Sequence, residues 1–519
     1  MSIVSFDYFI FLIVAVIMYY VLPRRFQWAE LLLFSLFFYW MAAVPGTFVY
    51  VTVSTLAAWA ATNHLEKYRV QNGAHSSSKV CSFIIFASIA LDIILWFVLK
   101  GTLFIEGAAS VLGLSFSGNS GFPFIAALGM GYYTLQLIGY TLDCYWETVE
   151  VQKNPLKLLL FACFFPQMTT GPISHYTDLK GMYEYHTFSY LNIAHGAQRI
   201  LWGLFKKLVI AERVGIAVNK VWSEFPASND FKGLFIWIAF LVYPIQMYAD
   251  FSGCMDIVIG TAELFDIKLV ENFRNPFFSR TSQEFWQRWH ISLGVWAKDY
   301  VLYPLIKSDW MVKLGKILRK KLGKKNGKFI STALGMLVLW LVMGIWHGAY
   351  KYILGVSLWY WIILMLGNYI LPYSTMITGK LGFKTESFGW HVFQSLRTYI
   401  IYAVGAVFFR GGSISQSFRF IGELFKTFSR DKWNPWIFFD GHIILLDISY
   451  QDIVIVFFGV FLMFIVGVLR EKYVYARNWL DEQPILFRWI VYISLLISVI
   501  IFGSYGPDYV ADNFIYGNF

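Results

Sequence analysis

Between Phe329 and Trp346 the chain carries no charged side chain, and Lys313 to Lys328, which immediately precedes this run, holds eight basic residues and three glycines. At about 1.5 Å per helical residue, the uncharged run crosses most of a hydrocarbon core of roughly 30 Å. The same alternation recurs along the chain. Apolar runs occupy Phe9 to Leu22, Ala29 to Val44, Phe48 to Thr62, Val80 to Leu99, Phe122 to Leu142, Leu234 to Ala249, Tyr352 to Leu371, Thr398 to Phe409, Val454 to Val468 and Ile490 to Phe502. With 58% hydrophobic and only 14% charged residues, there is far more apolar surface than a soluble core can bury. The fold class is therefore an all-α polytopic membrane protein. Phe9 to Leu22 has no basic region before it and no small-residue cleavage site after it, so it is expected to remain as a membrane helix. No linker, low-complexity tract or internal repeat interrupts residues 1–519, which read as a single membrane domain.

The net charge of +10 does not indicate nucleic acid, because the basic residues gather in short runs between apolar segments. Arg24 and Arg25, then Lys67, Arg69 and Lys79, Lys313 to Lys328, Lys380, Lys384 and Arg397, and Arg470 to Arg488 mark the cytoplasmic side. Ser115 to Gly121 and Arg410 to Gln451 fall outside, and both termini are expected to be external. The four cysteines, Cys81, Cys144, Cys163 and Cys254, include no CxxC pair, so neither a disulfide framework nor a zinc site is indicated. No metal is expected.

Several stretches depart from a plain span. Phe165 to Pro172 is polar and bracketed by prolines after an apolar run too short to cross, which is tolerated at membrane depth only when enclosed in protein or lining a wet cavity. Ala194 to Val214 is amphipathic and suits an interfacial or partly embedded helix. Asp250 and Asp256 are expected to pair with Arg288, Arg274 or Lys298. Thr281 and Glu284 have capping-box spacing, so a helix should begin near Ser282 and stop before Pro304, with Phe285, Trp289, Leu293, Trp296 and Tyr300 as its apolar stripe. His290 sits at the border of that stripe, and His347 closes the uncharged run. A histidine at such a place can accept or donate a proton near neutral pH. His175, His186, His195, His64, His75, His391 and His442 lack a metal-ligand pattern. These features leave a transporter and an intramembrane enzyme both standing.

The motifs Tyr248-Ala249-Asp250-Phe251-Ser252-Gly253, Glu271-Asn272-Phe273, Glu284-Phe285-Trp286 through Arg288-Trp289-His290-Ile291-Ser292-Leu293, and Gly344-Ile345-Trp346-His347-Gly348 occur in order. With Gly203-Leu204-Phe205-Lys206-Lys207 and the closing Asn513-Phe514-Ile515-Tyr516, they resemble the membrane-bound O-acyltransferases, in their bacterial alginate O-acetyltransferase branch. Cys254 and Met255 stand where many members of that branch have Tyr and Ser. The resemblance implies a bundle of about eleven or twelve membrane helices, with interfacial and re-entrant helices around a funnel or tunnel. Residues 5–350 would form the core with both histidine motifs, and 351–519 would add membrane helices and an external segment.

It implies His347 and His290 as catalytic residues, with Asp250, Arg288, Trp289 and Trp346 supporting them or lining the tunnel. It further implies a cytoplasmic acyl thioester, acetyl-CoA or an acyl carrier, as donor substrate, with no bound cofactor. An external SGNH or serine-hydrolase-like acetyltransferase partner would complete O-acetylation of a cell-surface polysaccharide. A shielded histidine acting as general base contributes roughly 10² to 10⁴ in rate. Lys313 to Lys328 faces either an anionic donor or anionic membrane lipid. The alternatives are D-alanyl transfer to teichoic acid by a related member and a non-catalytic transporter; the long tail beyond Gly348 favours the polysaccharide branch.

Overall fold

A computed structural model describes residues 1–44, 46–73, 79–111, 128–225, 227, 233–348, 350–426 and 445–505, and side chains in 98–111 are not among those described. Ser115 to Gly121, His75, His442 and the closing Asn513 to Tyr516 lie outside the described residues. Among the described residues every regular element is helical, and the one β feature is an isolated antiparallel bridge between Phe273 and Trp289. Seven helical stretches are long and apolar enough to cross a membrane, and the shorter Phe6–Val21 is also apolar. The protein is thus an all-α, multi-pass membrane protein. Its described chain forms two compact units, Met1–Leu204 with Gly253–Glu271, and Phe205–Ser252 with Asn272–Gly506.

The first unit contains α1 (Phe6–Val21), α2 (Gln27–Ala42), α3 (Phe48–Asn72), α4 (Lys79–Val111), α5 (Met130–Tyr145), α6 (Pro155–Cys163), α7 (Phe165–Met168) and α8 (Tyr190–Leu204). Asn154 caps α6 by accepting from Leu156 N, and Pro155 occupies the first turn, where its missing N–H costs nothing. The proline-bracketed stretch after it is enclosed: Phe165 to Met168 and Thr170 to Ser174 are buried. Several of its backbone N–H groups find partners there. Phe165 N donates to Ser35 Oγ (3.1 Å) and Gly171 N to Gln167 O (2.8 Å), while the Phe165 ring meets Phe11 edge-on at 5.1 Å.

Helix α8 packs on the segment from Gly253 onward through glycines. A Cβ on Gly203 would lie 2.5 Å from Gly253 O, and one on Gly196 would lie 2.7 Å from Gly260 O. Between these contacts Arg199 reaches Asp256 (3.1 Å), Glu263 (3.3 Å) and Glu271 (2.8 Å). Burial opposes that charge, but the three carboxylates outweigh it and hold the guanidinium protonated. Asp256 is therefore neutralised from α8, and not by the arginines or lysine expected from the sequence.

The second unit begins with a π-helical stretch, Phe205–Ala211, followed by α9 (Glu212–Glu224). Next comes α10 (Leu234–Glu263), whose residues to Ser252 belong to this unit and the rest to the first; it continues through Asp250 and Asp256 instead of ending before them. Short helices α11 (Ser282–Arg288), α12 (Ile291–Ala297) and α13 (Tyr303–Lys307) lead into α14 (Asp309–Trp346). The basic run is helical but broken at Gly323, whose φ of 79° and ψ of 162° leave the helix; all eight of its cations are exposed. After a π-helical stretch, Ile353–Leu358, come α15 (Trp359–Lys380), α16 (Phe388–Arg410), α17 (Ile414–Lys426), α18 (Tyr450–Glu471), α19 (Ala476–Asp481) and α20 (Ile485–Phe502). Phe457, Phe461 and Phe464 on α18 and Ile493, Leu496 and Ile500 on α20 point outward, as lipid-facing helices require.

Candidate active site around two histidines

Local chemistry starts α11 where the sequence places it: Thr281 Oγ1 accepts from Glu284 N (3.1 Å), and Glu284 returns a carboxylate to Arg280 N (2.8 Å). The helix does not continue to Pro304. Trp289 is extended, with φ −110° and ψ 127°, and His290 turns left-handed at φ 46° and ψ 53°. The break is held by the Asn272 segment. Its carbonyl accepts from Ile291 N (3.0 Å), and its side-chain Oδ1 accepts from both the N–H and the hydroxyl of Ser292 (3.0 Å each). Pro304 then sits in the first turn of α13, after a π-helical stretch over Lys298–Leu302. The apolar stripe survives the break, because Phe285, Trp289, Leu293, Trp296 and Tyr300 are all buried. A left-handed conformation costs a non-glycine residue roughly 1–2 kcal/mol, and strain of this kind clusters at functional sites.

His290 is only 5% exposed, not at an interface. Its Nδ1 lies 3.3 Å from Asn272 Oδ1, which already accepts from Ser292, so Nδ1 carries the proton. Nε2 then holds the basic lone pair and has no hydrogen-bond partner among the described residues. Burial pushes the imidazolium down to about 3, leaving the ring neutral at physiological pH. Phe251 meets it edge-on at 4.9 Å.

His347 is 7% exposed and caps the C-terminus of α14. Trp346 (4.9 Å), Tyr352 (5.5 Å) and Phe409 (5.4 Å) wall its ring. Gly348 follows with φ 87°, and a Cβ built there meets nothing within 4 Å. Trp346 also lies 6.2 Å from the His290 ring. The two histidines, far apart in sequence, thus share one indole as a neighbour.

The supporting residues divide. Arg288 pairs with Glu284 (2.7 Å) and Glu471 (2.6 Å), and not with Asp250. Trp289 packs among Phe273 (5.1 Å), Phe285 (5.6 Å) and Tyr402 (5.0 Å). Asp250 instead meets Lys207 at 2.6 Å, and the same ammonium reaches Glu212 at 2.5 Å. Lys206 donates to Ser252 Oγ (2.9 Å). These lysines are 4% and 3% exposed, whereas an interfacial helix would hold them in the headgroups. The π-helical turns redirect them inward, onto the two residues that flank Phe251. The sequence reading missed both; its available signal was a Lys-Lys pair on an otherwise apolar face. Among the described residues no group of three His, Cys, Asp or Glu side chains is arranged to hold a metal.

Two buried histidines, one at the end of an apolar helix and one on a short buried turn, make up the candidate site of this polytopic membrane protein. Residues 149–393, which include both histidines, match the family described as MBOAT, membrane-bound O-acyltransferase family. A probable alginate O-acetylase of Pseudomonas syringae pv. tomato is 26% identical over 80% of this chain and 74% of its own. For a peptidoglycan O-acetyltransferase of Helicobacter pylori the identity is 31%, over 43% and 44%; for a teichoic acid D-alanyltransferase of Bacillus subtilis it is 27%, over 52% and 69%. With other probable alginate O-acetylases the match spans only about half of the relative, 55% in that of Pseudomonas putida. Over residues 149–393 the chain is thus similar to the membrane-bound O-acyltransferase family, and its relatives carry the names of O-acetylases, O-acetyltransferases and D-alanyltransferases.

Proposed function

We propose that this protein takes an acetyl group from a cytoplasmic thioester and passes it across the membrane for O-acetylation of a cell-surface polysaccharide, with His347 as general base. The observation that carries this reading is the buried His347 imidazole, walled by three aromatic rings. An acceptor hydroxyl gives its proton to His347 as its oxygen attacks the thioester carbonyl. The C–O bond forms, the C–S bond breaks, and the proton passes to the departing thiolate. His290 Nε2 serves as a second neutral acceptor that orients the donor. The donor is acetyl-CoA or an acyl carrier, and a serine-hydrolase-like partner outside completes the transfer. The names of the alginate and peptidoglycan relatives support an acetyl group and a glycan acceptor.

Purified protein in proteoliposomes, given radiolabelled acetyl-CoA, acetyl-carrier or D-alanyl-carrier, distinguishes the readings. The expected result is thiol release from an acetyl donor that depends on an added oligosaccharide. Discharge of the D-alanyl donor alone would assign D-alanylation, and polymer movement without thioester consumption would assign a transporter.

A further inference from the structure

Helix α17 follows α16 after only three residues, and its contacts fix how it lies. Ser417 Oγ donates to Val407 O (3.3 Å) and the Phe418 ring meets Phe408 edge-on at 5.2 Å, so its first turns touch the last turn of α16. Further on, Phe420 stacks on Trp222 at 4.1 Å and meets Phe225 at 5.4 Å, at the C-terminal end of α9. Helix α17 therefore bridges the ends of two helices, and one of them, α16, is long and apolar enough to span a membrane. A helix so placed lies at a membrane surface.

At about 100° per residue its side chains divide into three sectors. Ser417, Phe420 and Leu424 are buried against the protein. Ile414, Phe418, Ile421 and Phe425 form a second apolar sector beside that packing, in which Phe418 is 57% and Phe425 73% exposed. Ser415, Arg419, Gly422, Glu423 and Lys426 fall in the third. A surface helix in water needs only the first apolar face. Single exposed aromatics are ordinary, but two of them seven residues apart on one sector, with two isoleucines between and beside them, suit a helix lying in a bilayer interface. Alongside this sector Phe225, Phe418, Arg419, Gly422, Glu423 and Lys426 line a cleft of about 630 Å³. Glu423 accepts from Lys426 (3.0 Å), whereas Arg419 is held by no hydrogen bond or ion pair among the described residues. The cleft thus has a net positive charge and a guanidinium able to make a two-point contact with a phosphate.

We infer that α17 is an interfacial helix that binds a phospholipid: its second apolar sector enters the lipid, and its cleft seats the phosphate, which accepts from Arg419. Cation and exposed aromatics lie side by side on one helix, so a headgroup and the start of its acyl chains reach both at once. The site goes beyond the acyl-transfer reading and does not depend on it.

The test uses the full-length protein in a maltoside detergent, which carries no phosphate, with a bimane fluorophore on Phe425→Cys; the four native cysteines are buried. The probes are phosphatidylglycerol and diacylglycerol, each with a doxyl quencher on one chain, and aqueous iodide. Both lipids should quench the fluorophore more than iodide does, and phosphatidylglycerol should reach half-quenching at about fivefold or more lower concentration than diacylglycerol. Arg419→Gln, at an exposed position, should remove most of that preference while quenching by diacylglycerol persists. Gly422→Leu, which fills the cleft without changing its charge, should do the same, and a general attraction of surface charge does not explain that loss. Stronger quenching by iodide than by either lipid would place the apolar sector in water and overturn the interfacial helix, leaving that face to a soluble protein or a glycan. Equal half-quenching concentrations for the two lipids, or wild-type preference in either variant, overturns the phosphate cleft.

Discussion

Asn272 holds His290 in a conformation that histidine does not choose for itself. Asn272→Ala leaves the buried Ser292 N–H and hydroxyl without their acceptor and should cost about 1–3 kcal/mol. Thermal unfolding in detergent measures it; an unchanged midpoint would show that the turn is held by something else. The neutral His290 also sets a pH dependence. Its folded value of about 3 lies below the ordinary 6.5, so between these limits the unfolded chain binds a proton that the folded chain refuses. Stability is kept above about pH 6.5 and falls as pH drops toward 3. His290→Asn should therefore lose less stability than wild type on acidification from pH 7 to pH 4, read from denaturation midpoints. Equal losses would contradict the burial of a neutral ring. The Thr281 cap and the apolar stripe were legible in the sequence because each is a local pattern. The left-handed turn was not, since a side chain 18 residues upstream imposes it.

At the scale of elements, helices betray their apolar faces in sequence, but a π-helical insertion does not announce itself. That is why the sequence leaves Lys206 and Lys207 on an interfacial or partly embedded helix and pairs Asp250 with arginines it does not meet, whereas the enclosure of Phe165 to Pro172 is legible. Lys207→Met removes the buried ammonium that Asp250 and Glu212 share and should destabilise by about 3–5 kcal/mol. Adding Asp250→Asn to Lys207→Met should recover part of that loss in the same unfolding assay; an additive double variant would show that the pair is not coupled. Close approach sets a second constraint. A Cβ on Gly344 would collide with Ser357 Oγ, which donates to Trp340 O (2.6 Å) behind His347. Gly344→Ala should cost about 1–3 kcal/mol, and Ser357→Ala should relieve the collision when combined with it.

Over the whole molecule, hydropathy and basic runs indicated the membrane class directly, since no other environment suits so many long uncharged helices. Individual boundaries were less legible: Arg397, expected in a cytoplasmic loop, lies within α16 and donates to Arg280 O (2.7 Å). The proposed orientation is tested by Lys320→Cys, against a background of four native cysteines that are all buried. A membrane-impermeant thiol reagent should label it in inverted vesicles and not in intact cells; labelling from outside would reverse the donor side. Whether the enclosed histidine performs the chemistry is the central question. The most direct measurement is the acetyl content of the surface polymer in cells expressing His347→Ala, with the membrane abundance of the variant determined in parallel. Near-background acetylation by a normally abundant protein is predicted, and wild-type acetylation would contradict the account.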